Sequence, residues 1–391
     1  MSRVNMHIFL SRLESETRLF KEAAYTLGNG IFDRVVVLGL WKEGLPRFER
    51  TESGLEMRRV KTMIGTLQQY DISRRLGLVR KVISAVSLLQ LLAVIIFTAV
   101  RLRPHSLSCH NVYLLPAAWL AAQLSGAHLV YLPHELEPER SGLSATGRWV
   151  SRAFERLFIH SARAVVVVND PIRDWYKAAY RLQQVHVVRN TPERSAVAIH
   201  PLGNDGLRQR FSVPLEAMVF IYLGGFGAFR GTLDLLKTFA ALDPHRFHLV
   251  LMGYGSAESE AEVNTFVERC ANIHFLRAVP RDLIVSYTSG VDVGLFVVGK
   301  LPALNEQYSL PNKFFEYTHA GLALLVSDNL TFQSSLIAEA GLGWSVPFDS
   351  LAETIAALSW AEVTEKRKNS RAFSETAVWE VDAIAFQEVY A

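Results

Sequence analysis

Short β-branched runs alternate with helix-length stretches along almost the whole chain, and this alternation restricts the fold more than any other feature. The first series of expected strands is Met6–Leu10, Arg34–Leu40, Met57–Thr62, Leu107–His110, His128–Leu132, Ala164–Val168 and Gln184–Val188. Between them lie helical patterns at Glu14–Tyr25, Ser84–Arg101, Leu114–Leu124, Gly147–His160 and Ile172–Tyr180. The run Ala164–Val168 reads Ala-Val-Val-Val-Val, apolar on both faces, as a strand in a parallel sheet covered on both sides must be. Residues 190–215 then gather Pro192, Pro201, Gly203, Asn204, Asp205, Gly206 and Pro214, the one long stretch of structure breakers, which marks a linker.

A second series follows. Strands are expected at Met218–Leu223, His248–Met252, Ile273–Leu276, Val291–Phe296, Leu322–Ser327 and Gly343–Val346. Helices are expected at Gly231–Leu242, Glu258–Cys270, Asp282–Thr288, Asn312–His319, Ser334–Ala340 and Ala352–Ala361, and the last thirty residues read as helix with Trp379 on it. The fold class is therefore α/β: two doubly wound, Rossmann-like parallel-sheet domains facing across a cleft. The domains are residues 1–195 and 196–371, followed by a C-terminal helix at about 372–391. Ligands in such folds sit outside the carboxyl ends of the strands.

Composition narrows the class further. Of the 391 residues, 50% are hydrophobic and 20% charged, enough for a core and too apolar for a disordered chain. Two cysteines, Cys109 and Cys270, exclude a disulfide scaffold, and a net charge of +3 gives no case for nucleic acid. No signal peptide is read at the start, because Arg12, Glu14, Glu16 and Arg18 follow the short run Met6–Leu10. Val82–Val100 carries no charge and is long enough to cross a membrane. Ser84, Ser87, Gln90 and Thr98 dilute it, and a span would remove a crossover helix from the βα series. A helix packed on the sheet, or docked shallowly on a membrane surface, is the better reading.

Three stretches suggest chemistry. Gly224, Gly225 and Gly227 follow the first strand of the second series and lead through Arg230-Gly231 into a helix, a turn that offers backbone N–H groups to a phosphate. Arg230 stands where a nicotinamide fingerprint needs its third glycine, and no acidic residue ends the next strand. The alternative is a plain turn with a surface arginine. In Ser309-Leu310-Pro311-Asn312-Lys313-Phe314-Phe315-Glu316-Tyr317, Pro311 suits a first helical turn and Lys313 and Glu316 share one face. That pair is either an ordinary ion pair or a carboxylate placed to accept ribose hydroxyls. His134-Glu135 follows a strand of the first series and is either a loop pair or a group facing the cleft. Asp-x-Asp, the common carboxylate pair for a divalent metal, is absent, and no metal-ligand set is identified; the P-loop of a kinase or ATPase and the Gly-x-Ser-x-Gly elbow of a serine hydrolase are absent too.

His134-Glu135-Leu136, Val188–Pro192, Gly224–Gly231, Gly253-Tyr254-Gly255, Leu310–Tyr317 with Gly321, and Trp379-Glu380 together resemble the retaining glycosyltransferases of the GT-B fold, in the large family four, over nearly the full length. The resemblance implies a C-terminal helix that crosses back to the first domain, and a donor site for a nucleotide-diphosphate sugar in the second. Glu316 would hold the ribose and Arg230 would neutralise the diphosphate, so that no metal cofactor is required. The backbone from Tyr308 through Ser309, Leu310, Pro311 and Asn312 would lie along the diphosphate and sugar. Gly253 and the loop around Val279 would lie near the base.

It places His134 on the acceptor side, with Arg230, Lys313 and Glu316 as the other catalytic residues. It also implies a glycan or lipid-linked acceptor in cell-surface polysaccharide synthesis, and a cytoplasmic enzyme peripheral on the inner face of the membrane. Two positions depart from the family pattern. Tyr308 stands where a second glutamate is usual, with Glu306 nearby, and Gly225 replaces a basic residue, a role left to Lys313. A nucleotide-sugar epimerase of the same fold and a non-catalytic scaffold are the competing readings.

Overall fold

The structure, a computed structural model, describes residues 2–14, 16–62, 77–194, 206–227, 231–298 and 302–391. It divides into two compact units, Met1–Arg189 with Ala383–Ala391, and Asn190–Asp382. The segment that joins the first unit is thus Ala383–Ala391, against the 372–391 expected.

The first unit is built on strands β1 (Val4–Ile8), β2 (Arg34–Leu40), β3 (Phe48–Arg50), β4 (Leu55–Val60), β5 (Ser106–Cys109), β6 (His128–Tyr131), β7 (Ala164–Val167) and β8 (Val185–Val187). Their order in the sheet is β3-β4-β2-β1-β5-β6-β7-β8. All pairings are parallel except β3 with β4, an edge hairpin closed by the turn Thr51–Gly54. The strand order reverses between β1 and β5, so their carboxyl ends open a crevice there.

Crossover helices cover the faces. The longest, Gly77–Leu102, buries Ser87, Leu91, Ile95 and Ala99, a stripe with the four-residue spacing of one helical face. Its other side still exposes Leu88, Leu89, Phe97 and Val100, which explains why the run reads as apolar throughout. Among the described residues, no helix is long and apolar enough to cross a membrane.

The second unit holds β9 (Met218–Gly225), β10 (Phe247–Tyr254), β11 (Ile273–Arg277), β12 (Val293–Phe296), β13 (Ala323–Ser327) and β14 (Gly343–Val346) in the order β11-β10-β9-β12-β13-β14. This sheet is wholly parallel and reverses between β9 and β12. Along β9, Val219, Ile221 and Leu223 enter one core cluster and Met218, Phe220 and Tyr222 the other. Both faces are buried, which is why the strand reads as unbroken apolar sequence.

A buried ion network locks the amino end of this sheet. Asp292 accepts from Arg208, from the Val219 N–H at 2.8 Å and from Arg367 at 2.7 Å. It joins the helix Gly206–Arg210 after the linker, the start of β9 and the long helix Trp360–Thr376.

Two sequence expectations need correction. The C-terminal stretch is not one helix: Trp360–Thr376 ends, Ala377 leaves helical geometry, and short pieces follow at Trp379–Asp382 and Phe386–Val389. Likewise the helix expected at Ala352–Ala361 stops at Ala357. Ser359 caps a new helix there through a reciprocal box with Glu362.

Candidate functional site

In the second unit the candidate residues gather around the carboxyl ends of β9 and β10, where Gly224 stands opposite Gly253 in register. A Cβ on Gly253 would lie 1.8 Å from the Gly224 carbonyl oxygen, so the two strands can close only without a side chain there. Gly224 and Gly227 have φ of +124° and +156°, and space beside them is open. Helix Thr232–Ala241 begins just beyond, at Gly231. The loop thus carries bare backbone toward a helix N-terminus, the arrangement suited to an anion. Arg230, expected at its centre, lies outside the described residues.

Helix Asn312–His319 is fixed against this strand by Tyr317. Its hydroxyl accepts from the Leu223 N–H at 2.9 Å and donates to the Ile221 carbonyl at 3.1 Å. It takes the place of ladder bonds, because β9 and β12 pair only at Phe220 and Ile221. Gly294 on β12 makes the room: a Cβ there would fall 2.4 Å from the Tyr317 ring.

The neighbouring Glu316 is therefore held rigidly. Burial raises its carboxyl pKa, opposed by the charges of Arg281 and Lys313. Arg281 lies 3.8 Å from it. Arg281 belongs to the loop after β11, and Glu316 to the second helix after β12, so this ion pair ties together elements on either side of β10 and β9, whose carboxyl ends carry the glycines. Lys313 stacks its ammonium 4.5 Å from the Tyr222 ring and 5.1 Å from that of Phe296.

The remaining expected residues line the same end. Pro311 is the residue before the helix rather than in its first turn, with extended backbone. Asn312 accepts from Asn190 at 2.8 Å. Leu310 is buried in the core, and the Ser309 hydroxyl donates to the Glu306 carbonyl at 3.1 Å. Tyr308 ends the helix Leu304–Tyr308, on which Glu306 keeps one carboxylate oxygen buried with no hydrogen-bond partner. Val279 packs on the core from the loop after β11, where the Ala278 N–H reaches the Gly253 carbonyl at 2.9 Å.

In the first unit, His134 follows β6 near the sheet's reversal point and is half-buried. Its Nε2 is 2.9 Å from Nδ1 of His110, the residue after β5. Phe9, after β1, meets both rings, and the Asn111 side chain accepts from the Leu10 N–H at 2.7 Å, bridging the loops after β1 and β5. Burial depresses the His134 pKa to about 3, with the Arg18 charge adding to the shift, so the ring is neutral near pH 7. Glu135 pairs with Arg140 at 2.6 Å, and burial lifts the Glu137 carboxyl to about 7.

Sequence reasoning did not single out Arg281, Asp292, His7 or His110. Of these, His110 was the most accessible to it, since it ends its strand as His134 follows the next.

Residues 30–191 match the family model described as a glycosyl transferase 4-like domain. No curated protein matches the chain in sequence. HepE of Anabaena, solved in complex with UDP, is 14% identical with a TM-score of 0.71, over 99% of this chain and 98% of that one. Sucrose-phosphate synthase from Thermosynechococcus elongatus is 14% identical with a TM-score of 0.73, over 99% and 98%. WaaG, a glycosyltransferase involved in lipopolysaccharide biosynthesis, is 14% identical with a TM-score of 0.68, over 98% and 99%. The chain thus has the GT-B fold, two Rossmann-like domains, the first of which matches the glycosyl transferase 4-like family.

Proposed function

We propose that this protein transfers a sugar from a nucleoside-diphosphate sugar to a glycan or lipid-linked acceptor, with retention at the anomeric carbon and without a metal. The observation that carries the donor half is the half-buried Glu316, with the charges of Arg281 and Lys313 acting on it, beside the glycine-bearing ends of β9 and β10. A carboxylate in that position accepts two ribose hydroxyls, while the backbone of Gly224, Gly225 and Gly227, open at Gly224 and Gly227, receives the diphosphate. Arg230 and Lys313 supply the positive charge that stabilises the departing nucleotide, the role a metal would otherwise fill. Tyr308 through Asn312 border the sugar, and Glu306 is the carboxylate nearest the place of the missing family glutamate. UDP is the first nucleotide to test, because HepE was solved with UDP and with UDP-glucose.

For the acceptor half, His134 is the group that meets an acceptor hydroxyl in the first domain. Three neighbouring helices there expose Leu89, Phe97, Trp119, Leu124, Trp149 and Leu157. Arg152 and Arg156 are also exposed on the helix that carries Trp149. Apolar side chains with interspersed arginines suit an anionic lipid surface, and so a lipid-linked acceptor.

The test is product analysis with UDP-glucose and candidate acceptors in EDTA. Transfer should persist without metal and give the anomer of the donor. It should fall roughly 100-fold in Glu316→Ala, the equivalent of about 3 kcal/mol for two lost charged hydrogen bonds. Epimerised sugar nucleotide formed without acceptor would replace this reading by that of an isomerase.

A further inference from the structure

A continuous line of buried polar groups crosses the first domain and ends at His134. It starts at Glu22, on helix Thr17–Gly28, which accepts from the Tyr390 hydroxyl at 2.6 Å. Tyr390 is 2.8 Å from the Ser108 hydroxyl, and the Ser108 hydroxyl donates to the Asn5 Oδ1 at 3.1 Å. Asn5 lies 2.9 Å from Nε2 of His7, and His7 Nδ1 lies 2.9 Å from Nε2 of His110. His110 Nδ1 then reaches His134 Nε2 at 2.9 Å. Every member but His134 is buried in the core. Such a line is costly to bury and is retained only when each donor meets an acceptor.

Each member has a fixed number of protons, and this makes the line directional. A hydroxyl has one proton to give, and a neutral imidazole has one N–H and one bare nitrogen. Burial keeps His7 and His134 neutral, with pKa values lowered to about 3, and lowers His110 as well. If Glu22 is ionised, Tyr390 must donate to it and Ser108 to Tyr390, and the Asn5 amide must turn over from the orientation in the structure so that its NH2 donates to Ser108. Asn5 then presents its oxygen to His7, so each histidine carries its proton on Nε2 and His134 is left with a bare Nδ1. If Glu22 is neutral, a proton on its Oε2 would be buried with no acceptor, so the O–H is on Oε1, donates to Tyr390, and every bond reverses. Asn5 presents its NH2 to His7, and each histidine carries its proton on Nδ1. The two forms differ by the single proton at Glu22.

We propose that the protonation state of Glu22 sets the direction of this line, and through it whether His134 offers an Nδ1–H or a bare Nδ1 to whatever it meets. Asn5, Ser108, His7 and His110 are positioning residues in this scheme. Its effect on transfer rests on the role given to His134 above, but the tautomers exist without any substrate.

The groups that face Glu22 are Arg18 one turn earlier on its own helix, Tyr390 from the C-terminal segment, His7 from β1 and His110 after β5. Burial raises the Glu22 carboxyl to about 7, against the Tyr390 bond and the Arg18 charge, so the change falls near neutral pH. Ligand-type atoms of His7, Glu22 and His110 lie within 4.8 Å of one another, yet the facing nitrogens of the two histidines are already bonded to each other.

The test uses the full chain labelled with 15N-histidine, without ligand. Long-range proton–nitrogen correlation spectra identify the protonated nitrogen of each ring, and the Glu22 carboxyl carbon is followed in parallel. All three histidines should change from the Nδ1–H to the Nε2–H form as pH rises, with one midpoint, that of Glu22. Glu22→Gln, whose amide can donate to Tyr390 at any pH, should hold all three in the Nδ1–H form. Ser108→Ala, a milder change, should uncouple the rings from pH while Glu22 still titrates. Tautomers that stay constant while Glu22 titrates, that change in Glu22→Gln, or a Glu22 that does not titrate between about pH 5 and 9, would each overturn the proposal. None of these depends on transferase activity, so failure of the functional reading would show separately.

Discussion

Replacing Tyr317 by Phe removes one oxygen and keeps the ring in its slot beside Gly294. The oxygen accepts from the Leu223 N–H and donates to the Ile221 carbonyl, where β9 and β12 have stopped pairing. Without it, a backbone N–H in the core has no acceptor, at a cost of about 1–3 kcal/mol, and the carbonyl loses a bond of about 1 kcal/mol. The expected loss is therefore about 2–4 kcal/mol. For a domain of this size each kcal/mol lowers Tm by about 2–4 °C, so the transition of the second domain should fall by roughly 5–15 °C in calorimetry of the full chain. Nucleotide affinity should fall too, because the same hydroxyl fixes the helix that carries Glu316. A loss below about 0.5 kcal/mol would refute the idea that this hydroxyl substitutes for the sheet ladder.

Three further outcomes follow from the same reasoning. Asp292→Ala leaves Arg208 and Arg367 facing each other without their carboxylate and should cost about 3–5 kcal/mol, read as a lower urea midpoint; an unchanged midpoint would contradict the packing account. Acid stability should show a break. Histidines depressed by burial, namely His7 and His134 to about 3 and His274 to about 4, destabilise the fold as pH falls below their ordinary value near 6.5. Glu22, Glu137 and Glu155, raised by burial to about 7, act oppositely: their stabilisation is full at acid pH and is lost as pH rises from about 4.5 to about 7. Below pH 4.5 the opposing contribution of these three glutamates is complete while the three histidines still titrate, each worth about 1.4 kcal/mol per pH unit, so the midpoint should drop steeply there; an even slope from pH 6.5 downward would contradict it. In co-sedimentation, vesicles rich in phosphatidylglycerol should retain the protein and neutral phosphatidylcholine vesicles should not, and Phe97→Asp should weaken retention; equal retention by both lipids would remove the anionic-surface reading.

The strand plan was legible in sequence because both sheets are covered on both faces, which writes each strand as a β-branched run. Strand β3 was not legible: Phe48–Arg50 sits at an edge, is short and largely exposed, and leaves no periodic signal. The break at Ser359 was written in the sequence as Ser-Trp-Ala-Glu, whereas the break at Ala377 has no breaker residue and depends on packing. Around the candidate site, the glycine turn showed in local spacing, whereas spacing alone left Glu316 as an ordinary ion pair with Lys313 and only the family resemblance singled it out. Arg281 and His110 could not be singled out, since their meaning comes from partners that the sheet order brings together. Asp292 reads as one residue of the strand expected at Val291–Phe296 until Arg208 and Arg367 are found around it.

The most direct test of the donor site is a thermal-shift titration of the full chain with UDP, GDP and ADP in EDTA, on the wild type and on Glu316→Ala. The account predicts that one nucleotide stabilises the wild type without metal, by about 2.7 kcal/mol at a hundred times its Kd, and that the shift disappears in Glu316→Ala. Stabilisation that survives the substitution, or none with any nucleotide, would contradict it.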